Sequence, residues 1–434
     1  MTARLDLNEP GFEAKFRALI AMKREASDDV EAVVATILRD VEGRGDEALI
    51  EHTRRLDRLD LTPATLRLSP SQIDAAVKQC PAEALDALAF AKKRIEAFHE
   101  RQRPVEDHYT DAAGVRLGLR WTPIEAVGLY VPGGTASYPS SVLMNALPAK
   151  IAGVPRLVMV TPTPEGRSNP LVLAAARSAG VDEVYRVGGA QAIAALAYGT
   201  PTIAPVAKIV GPGNAYVAAA KRRVFGRVGI DAIAGPSEVL VLADRGANPD
   251  WVALDLLAQA EHDRAAQSIL ITDAPQLADA VEIRIAARLA VLARADIAGA
   301  SWRDFGAIIL VPTLAAGIPL VDRLAPEHVE IATGDPEPLA ALIRNAGAIF
   351  LGHHTPEAIG DYVGGPNHVL PTARTARYSS GLGVLDFMKR TTWLSASPQA
   401  LAALAPAAIT LAKAETLEAH ALSVSARLGV SGDG

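Results

Sequence analysis

The sequence predicts an α/β protein built on mostly parallel sheets and arranged in two successive units. Short β-rich apolar runs alternate with helical ones from Val127 onward, the pattern of βαβ units. Three of those runs, ending at Val131, Val187 and Val210, lead straight into glycine-rich turns. After Gly246 the alternation resumes with a second series of strands. At 434 residues the chain is long enough for two or three domains and a large buried core.

Taken in order, the first two dozen residues form a separate polar–apolar arm. From Asp28 the pattern is helical, with Val30, Val33, Val34, Ile37 and Val41 at spacings of three and four. Ser71 to Phe98 is a second amphipathic run, and Asp107 to Trp121 a short β excursion. Strands follow at Val127–Val131, Leu157–Thr161, Glu183–Val187, Lys208–Val210 and Val239–Leu242. Between them, Asn169-Pro170 opens a helix with a capping residue and Pro at the first position, and Gly180 ends it. Asn248-Pro249 opens another in the same way. The second series places strands at Ser268–Thr272, Ala307–Val311, His328–Ala332 and Ala348–Leu351, with a long helix from about Pro275 to Arg294. Arg374 to Trp393 reads as loop, and Ser397 to Arg427 as helix.

Composition removes several function classes. Half of the residues are hydrophobic and 21% are charged, which is ordinary for a globular chain. A formal charge of −6 leaves no electrostatic footprint for nucleic acid or an anionic membrane. The short basic cluster Lys221-Arg-Arg223 reads as a solvated helix face. Cys80 is the only cysteine, so intramolecular disulfides and a cysteine-built zinc site are excluded. Met1-Thr-Ala-Arg-Leu-Asp lacks the apolar core of a signal peptide, and no apolar run reaches the roughly 18 residues that span a bilayer. A cytoplasmic protein is expected.

Five of the nine histidines fall between His262 and His368, which marks where the chemistry concentrates. Gln259 and His262, spaced i, i+3, share one helix face, where an imidazole nitrogen and an amide oxygen can meet a metal. A surface or capping histidine fits the same spacing. Asp361 and His368 sit in a glycine-rich loop after a strand, a setting that suits ligation better than packing. His420 is alone on a terminal helix and reads from spacing as a surface residue. Together these N and O donors suit zinc or another borderline divalent metal. Glu327-His328 follows Pro326 at the start of a strand. Imidazole is the usual base for a hydroxyl proton, and a neighbouring carboxylate can orient it or activate water. Two polar residues at an exposed strand mouth fit equally well, because side chains alternate along a strand. No turn reads G-x-G-x-x-G: in Gly211-Pro-Gly-Asn-Ala-Tyr216 the third glycine position holds Tyr216. A glycine turn that opens a helix can still hold an anion on backbone N–H groups.

These blocks together resemble histidinol dehydrogenase, the zinc-dependent enzyme of the last two steps of histidine biosynthesis. The matching stretches are Gly128–Gly134, Val187–Ile193, Lys208–Asn214, Ala234–Glu238, Gln259–His262, Leu324–His328, Gly364–His368 and Glu418–His420, in the family's order. The resemblance implies one zinc per subunit on Gln259, His262, Asp361 and His420, and NAD on Tyr130, Gln191 and Asn214. It implies substrate contacts from Ser237, His328, His368 and Glu415 together with the four metal ligands, and an acid–base pair in Glu327 and His328. His328 is then the general base, Glu327 activates water, and L-histidinol is oxidised to L-histidine through the aldehyde with two NAD.

The family's architecture is a homodimer of two incomplete Rossmann-like parallel-sheet domains with small helical terminal segments. Here it implies an N-terminal arm over 1–27, a larger α/β domain from 28–127 and 238–386, and an NAD-binding domain over 128–237. The C-terminal helical segment, 387–434, contributes Glu415 and His420 to the neighbouring active site. A related zinc- and NAD-dependent polyol dehydrogenase, such as one for sulfopropanediol, is the nearest alternative, and a non-catalytic zinc-dependent binding protein the next. Glu415 and His420 favour histidinol over the first, and Glu327-His328 disfavours the second. His353, His354 and Cys80 carry no assigned role.

Overall fold

The computed structural model describes residues 2–22, 28–133, 138–233 and 235–429. Met1 and residues 23–27 of the arm, Gly134 and Thr135 of the first glycine-rich turn, Ala234 of the Ala234–Glu238 block, and the last five residues of the C-terminal segment lie outside these.

Two parallel sheets organise the chain. The smaller has five strands in the order Glu183–Tyr185, Leu157–Val160, Val127–Tyr130, Lys208–Val210 and Gly229–Ile230. The larger has six: Ala3–Asp6, Ala307–Leu310, Gln267–Thr272, Glu238–Ala243, His328–Ala332 and Ala348–Leu351. Successive residues of a strand face opposite sides, so each sheet feeds two cores. Val239 and Val241 join the cluster under Leu256 and Val281, whereas Leu240 and Leu242 join the one under Phe16 and Val321. Val127 and Leu129 likewise split from Val158 and Val160 across the smaller sheet. Sheets covered on both faces explain why these strands read as continuous apolar runs.

Several elements differ from the sequence reading. The N-terminal arm is an integral edge of the larger sheet. Ala3–Asp6 pairs in parallel with Ala307–Leu310, and helix Phe12–Ala21 buries Phe12, Phe16 and Leu19 on that sheet. Met388–Ser395, expected as loop, is a strand antiparallel to Arg116–Pro123 in a third, three-stranded sheet. Almost all of its residues are exposed, so no buried face printed an alternation into the sequence. Gly229–Ile230 is too short to leave any pattern. The long helix expected from Pro275 ends at Leu289, and a separate helix runs Ala295–Phe305.

Helices Asp28–Arg44, Asp46–Asp57, Pro70–Val77 and Ala82–Glu100 place their apolar sides on helices of the smaller sheet. Val34, Ile37 and Leu49 pack with Ile193 and Val217, and Leu88 and Ile95 with Leu143 and Leu173. The grouping of 28–127 with 238–386 implied by the resemblance is therefore not the packing of these helices. One of them still reaches the other side, where Arg94 donates to the carbonyls of Val363 and Gly364.

Lys221 departs most from expectation. It is 2% exposed, not part of a solvated face, whereas Arg222 and Arg223 turn outward to Glu31.

Phe16 tests the integration of the arm. Fully buried, its ring stacks on Phe12 at 5.4 Å, and the Arg323 guanidinium lies 4.6 Å above it. Phe16→Ala is expected to cost about 3–5 kcal/mol in urea unfolding. An unchanged midpoint would show that the arm adds nothing to the core.

Candidate active site

The reactive residues gather at the amino-terminal edge of the larger sheet. His328 is the first residue of its strand and Glu238 the first of the neighbouring one, with Ser237 just before it. Ala325 ends the preceding helix in the left-handed conformation, and Pro326 turns the chain into the strand. Glu327 and His328 therefore converge even though strand geometry points them apart. The Glu327 Oε2 accepts from the Glu238 N–H at 3.0 Å, and the His328 Nδ1 lies 2.9 Å from the Glu238 carbonyl oxygen. Oε2 and Nδ1 are 3.7 Å apart, and both residues are buried, not at an exposed strand mouth.

The tautomer follows from the partner. A carbonyl oxygen only accepts, so Nδ1 carries the proton and donates, leaving the Nε2 lone pair open. Burial holds the His328 imidazole down to about 4, against the opposing pull of the Asp361 carboxylate. It is thus neutral near pH 7, with Nε2 as a proton acceptor. Burial also pushes the Glu327 carboxyl well above the usual carboxylate range, partly offset by the Glu238 N–H bond. A buried acid raised in this way fits proton transfer near neutral pH.

Asp361 is the hub of the second half of the site. It lies on the short helix Glu357–Tyr362, not in the glycine-rich loop the sequence suggested. Its Oδ2 is 4.0 Å from His262 Nε2, and its backbone oxygen accepts from His368 Nδ1 at 2.9 Å. His368 does sit in a loop, and its Nε2 accepts from the Ser141 hydroxyl at 3.1 Å. Asn367 beside it donates to the Met144 carbonyl. This loop thus joins the larger sheet's site to helix Pro139–Ala152 of the smaller one.

Gln259 and His262 do not share a helix face as expected. The helix ends at Ala260, and His262 lies in the turn beyond, its N–H bonded to the Gln259 carbonyl. Gln259 is 1% exposed, and its side-chain Oε1 has no hydrogen-bond partner. An orphaned buried oxygen costs on the order of 1–3 kcal/mol, so this atom calls for a cation or a donor. With Asp361, His262 and Gln259, the donor set fits a borderline divalent metal. Glu415 and His420 are exposed on the C-terminal segment, and none of the hydrogen bonds or ion pairs among the described residues ties them to the others.

Sequence reasoning missed Glu357. It is 2% exposed, its Oε1 is 3.9 Å from His328 Nε2, and His328, Glu357 and Asp361 bring ligand atoms within 4.8 Å of one another. Burial raises its carboxyl well above the usual range, and Asp361 raises it further. Its i, i+4 relation to Asp361 was the available signal, visible only once that stretch is known to be helical.

On the smaller sheet, Tyr130 ends the central strand, and its hydroxyl oxygen accepts from the Gly189 N–H at 3.1 Å. Burial pushes that hydroxyl up to about 12, so it stays protonated and keeps a hydrogen to donate. Gln191 is 1% exposed with an unpartnered Oε1 in the turn-and-helix that starts at Gly189. Asn214 caps helix Ala215–Val224 through its Oδ1, which leaves its amide N–H groups free. A Cβ at Gly211 would meet the Tyr130 carbonyl oxygen at 2.1 Å, so the turn admits only glycine there. These features fit a polar ligand at the carboxyl ends of parallel strands.

The pH dependence of stability tests the state of His328. Its folded value is depressed to about 4 from 6.5, so the unfolded chain binds the proton first as pH falls. Stability is full above pH 6.5 and lost on the way to 4, by about 3 kcal/mol at pH 4. Urea unfolding of wild type should show this loss and His328→Gln should lack it. Parallel pH curves for the two would mean an ordinary, solvated imidazole.

Comparison with known proteins identifies the family. Residues 20–428 match the family model for histidinol dehydrogenase. The histidinol dehydrogenase of Rhodopseudomonas palustris is 65% identical over 99% of both chains, and that of Rhizobium meliloti 63% identical over 100% of both. The crystal structure of histidinol dehydrogenase from Elizabethkingia anophelis superposes with a TM-score of 0.94 at 36% identity, over 99% of this chain and 98% of that one. The chain belongs to the histidinol dehydrogenase family.

Proposed function

We propose that the protein oxidises L-histidinol to L-histidine through L-histidinaldehyde, a four-electron reaction that consumes two NAD, and that it uses one zinc ion per subunit. The observation that carries this reading is the neutral His328, its Nε2 lone pair turned toward Asp361 and Glu357, in a chain of this family.

Gln259, His262 and Asp361 would hold the zinc, with the partner's His420 as fourth ligand. When bound there, the ion would supply a Lewis acid able to hold and orient the substrate. His328 is better suited as base than as ligand, because its Nδ1–H is committed to the Glu238 carbonyl and Nε2 is its one basic atom. His328 Nε2 takes the hydroxyl proton while the substrate carbon loses hydride, which gives the aldehyde. Glu357, its Oε1 3.9 Å from Nε2, offers an oxygen acceptor to the imidazolium so formed. Glu327 draws a proton from the water that adds to the aldehyde, and loss of a second hydride from the hydrate gives the carboxylate. Ser237, His368 and Glu415 complete the substrate contacts. Tyr130, Gln191 and Asn214 would bind NAD, which supplies the hydride acceptor.

A homodimer with shared active sites follows from the same reading. Glu415 and His420 are exposed, and Leu404, Leu411, Leu417 and Leu422 on the same segment are 41–63% exposed. Burying these against a partner would cover apolar surface and deliver both polar residues. No helix among the described residues is long and apolar enough to cross a membrane.

Following NADH absorbance with L-histidinol and zinc-replete protein is the direct test; absence of NADH would sink the reading. Glu327→Gln should slow oxidation of the aldehyde by 10²-fold or more but alcohol oxidation far less, and equal slowing would remove its water-activating role. His420→Ala should lower zinc content after dialysis, and an unchanged content would take it out of the ligand set.

A further inference from the structure

We infer that the buried pair Lys221–Asp231 positions the dinucleotide loop Gly211–Asn214, an inference that rests on the NAD site proposed above. Lys221 and Asp231 have side chains only 2% and 5% exposed and form an ion pair. Both ends of the pair close on one glycine. The Lys221 Nζ donates to the Gly211 carbonyl at 2.9 Å, and the Asp231 Oδ2 accepts from the Gly211 N–H at 2.7 Å. Every polar group of that residue's main chain is therefore held by a charged side chain.

Gly211 is where the loop departs from strand Lys208–Val210 and where its φ turns to +110°. It is also packed on the Tyr130 carbonyl, so the pair fixes the separation between Tyr130 and the start of the loop. Three residues on, Asn214 caps the helix that carries Lys221 on the same buried side as Val217 and Val224. Loop, helix and the end of strand Gly229–Ile230 are thus closed into a ring through one ammonium and one carboxylate.

Stability is a weak reason for such a pair. Taking both charges out of water costs several kcal/mol per ion, and well-packed apolar replacements are often as stable or more so. A loop whose backbone must hold a set shape for a ligand does need it, because both main-chain groups of Gly211 lose their water. Lys221 and Asp231 are positioning residues: the sites that meet the dinucleotide are Tyr130 and Asn214, and the pair sets their spacing.

The experiment measures NAD affinity by titration calorimetry, with zinc content and histidinol affinity measured on the same zinc-loaded full-length samples. The double variant Lys221→Met/Asp231→Asn removes both charges, keeps an acceptor for the Gly211 N–H and leaves no lone buried ion. Its NAD dissociation constant should rise at least tenfold while zinc content and histidinol affinity stay at wild-type values. An unchanged NAD constant overturns the proposal, and so does a uniform loss of all three ligands. Asp231→Asn alone, whose one oxygen cannot serve both the Gly211 N–H and the Lys221 ammonium, should likewise raise the NAD constant while zinc content and histidinol affinity hold. If neither variant folds, the pair is a folding element and the proposal is overturned. Asn214→Ala separates this from the underlying reading. If it leaves NAD binding intact, the dinucleotide does not use this loop at all. If it weakens binding while the double variant does not, only the positioning role fails.

Discussion

The main chain of Glu238, at the start of strand Glu238–Ala243, holds both Glu327 and His328. Its N–H binds Glu327 and its carbonyl binds the Nδ1–H of His328, from a neighbouring strand in fixed register. Side chains with several rotamers are thereby tied to the starts of two inner strands of a buried parallel sheet. That one backbone unit selects the tautomer of His328, aims its lone pair toward Asp361 and Glu357, and keeps Glu327 within 3.7 Å of the same ring. The helices on both faces of the sheet exclude water from it, and the exclusion drives both residues away from their ordinary titration ranges.

The site is assembled from distant parts of the chain for a physical reason. Gln259 comes at the end of one helix, Glu327 and His328 at a strand start, Glu357 and Asp361 from a short helix, and His368 from the loop that reaches helix Pro139–Ala152. Each lies at an end of an element, where the chain changes direction and its side chain is not spent on packing. Gln259 and Gln191 keep buried oxygens unpartnered, a cost the fold carries at both proposed sites.

Much of this was legible beforehand. The apolar runs are long and interrupted by glycine or proline at their ends, so nine strands of the two parallel sheets were placed within a residue or two. What escaped had no one-sided burial to mark it: Met388–Ser395 is exposed on both faces, and Gly229–Ile230 spans too few residues. Ala3–Asp6 was hidden because an edge strand from the chain's start is short and half polar. At the site, Glu327 and His328 were visible as a pair, but their convergence depended on Glu238, nearly ninety residues away. Glu357 opens a six-residue helix too short to leave a pattern in the sequence. Lys221 looked like one of three surface cations, because burial of a charge is decided by a partner, Asp231, that sequence distance alone does not single out.

The two proposed ligand sites lie at opposite edges of their sheets, the carboxyl ends of the smaller and the amino ends of the larger. In a parallel sheet, helices begin beyond the carboxyl ends and finish beside the amino ends. Helices Gly189–Tyr198 and Ala215–Val224 therefore present their starts to the glycine turns, whereas Pro249–Ala260 and Leu314–Leu324 finish beside Gln259 and Glu327. Aligned peptide dipoles leave about half a positive charge at a helix start and half a negative one at its end. The backbone alone is thus positive at the smaller sheet's edge and negative at the larger one's, which suits the anion and the cations proposed there before any side chain contributes. A charged substitution at either edge therefore meets a field of known sign, opposite at the two edges.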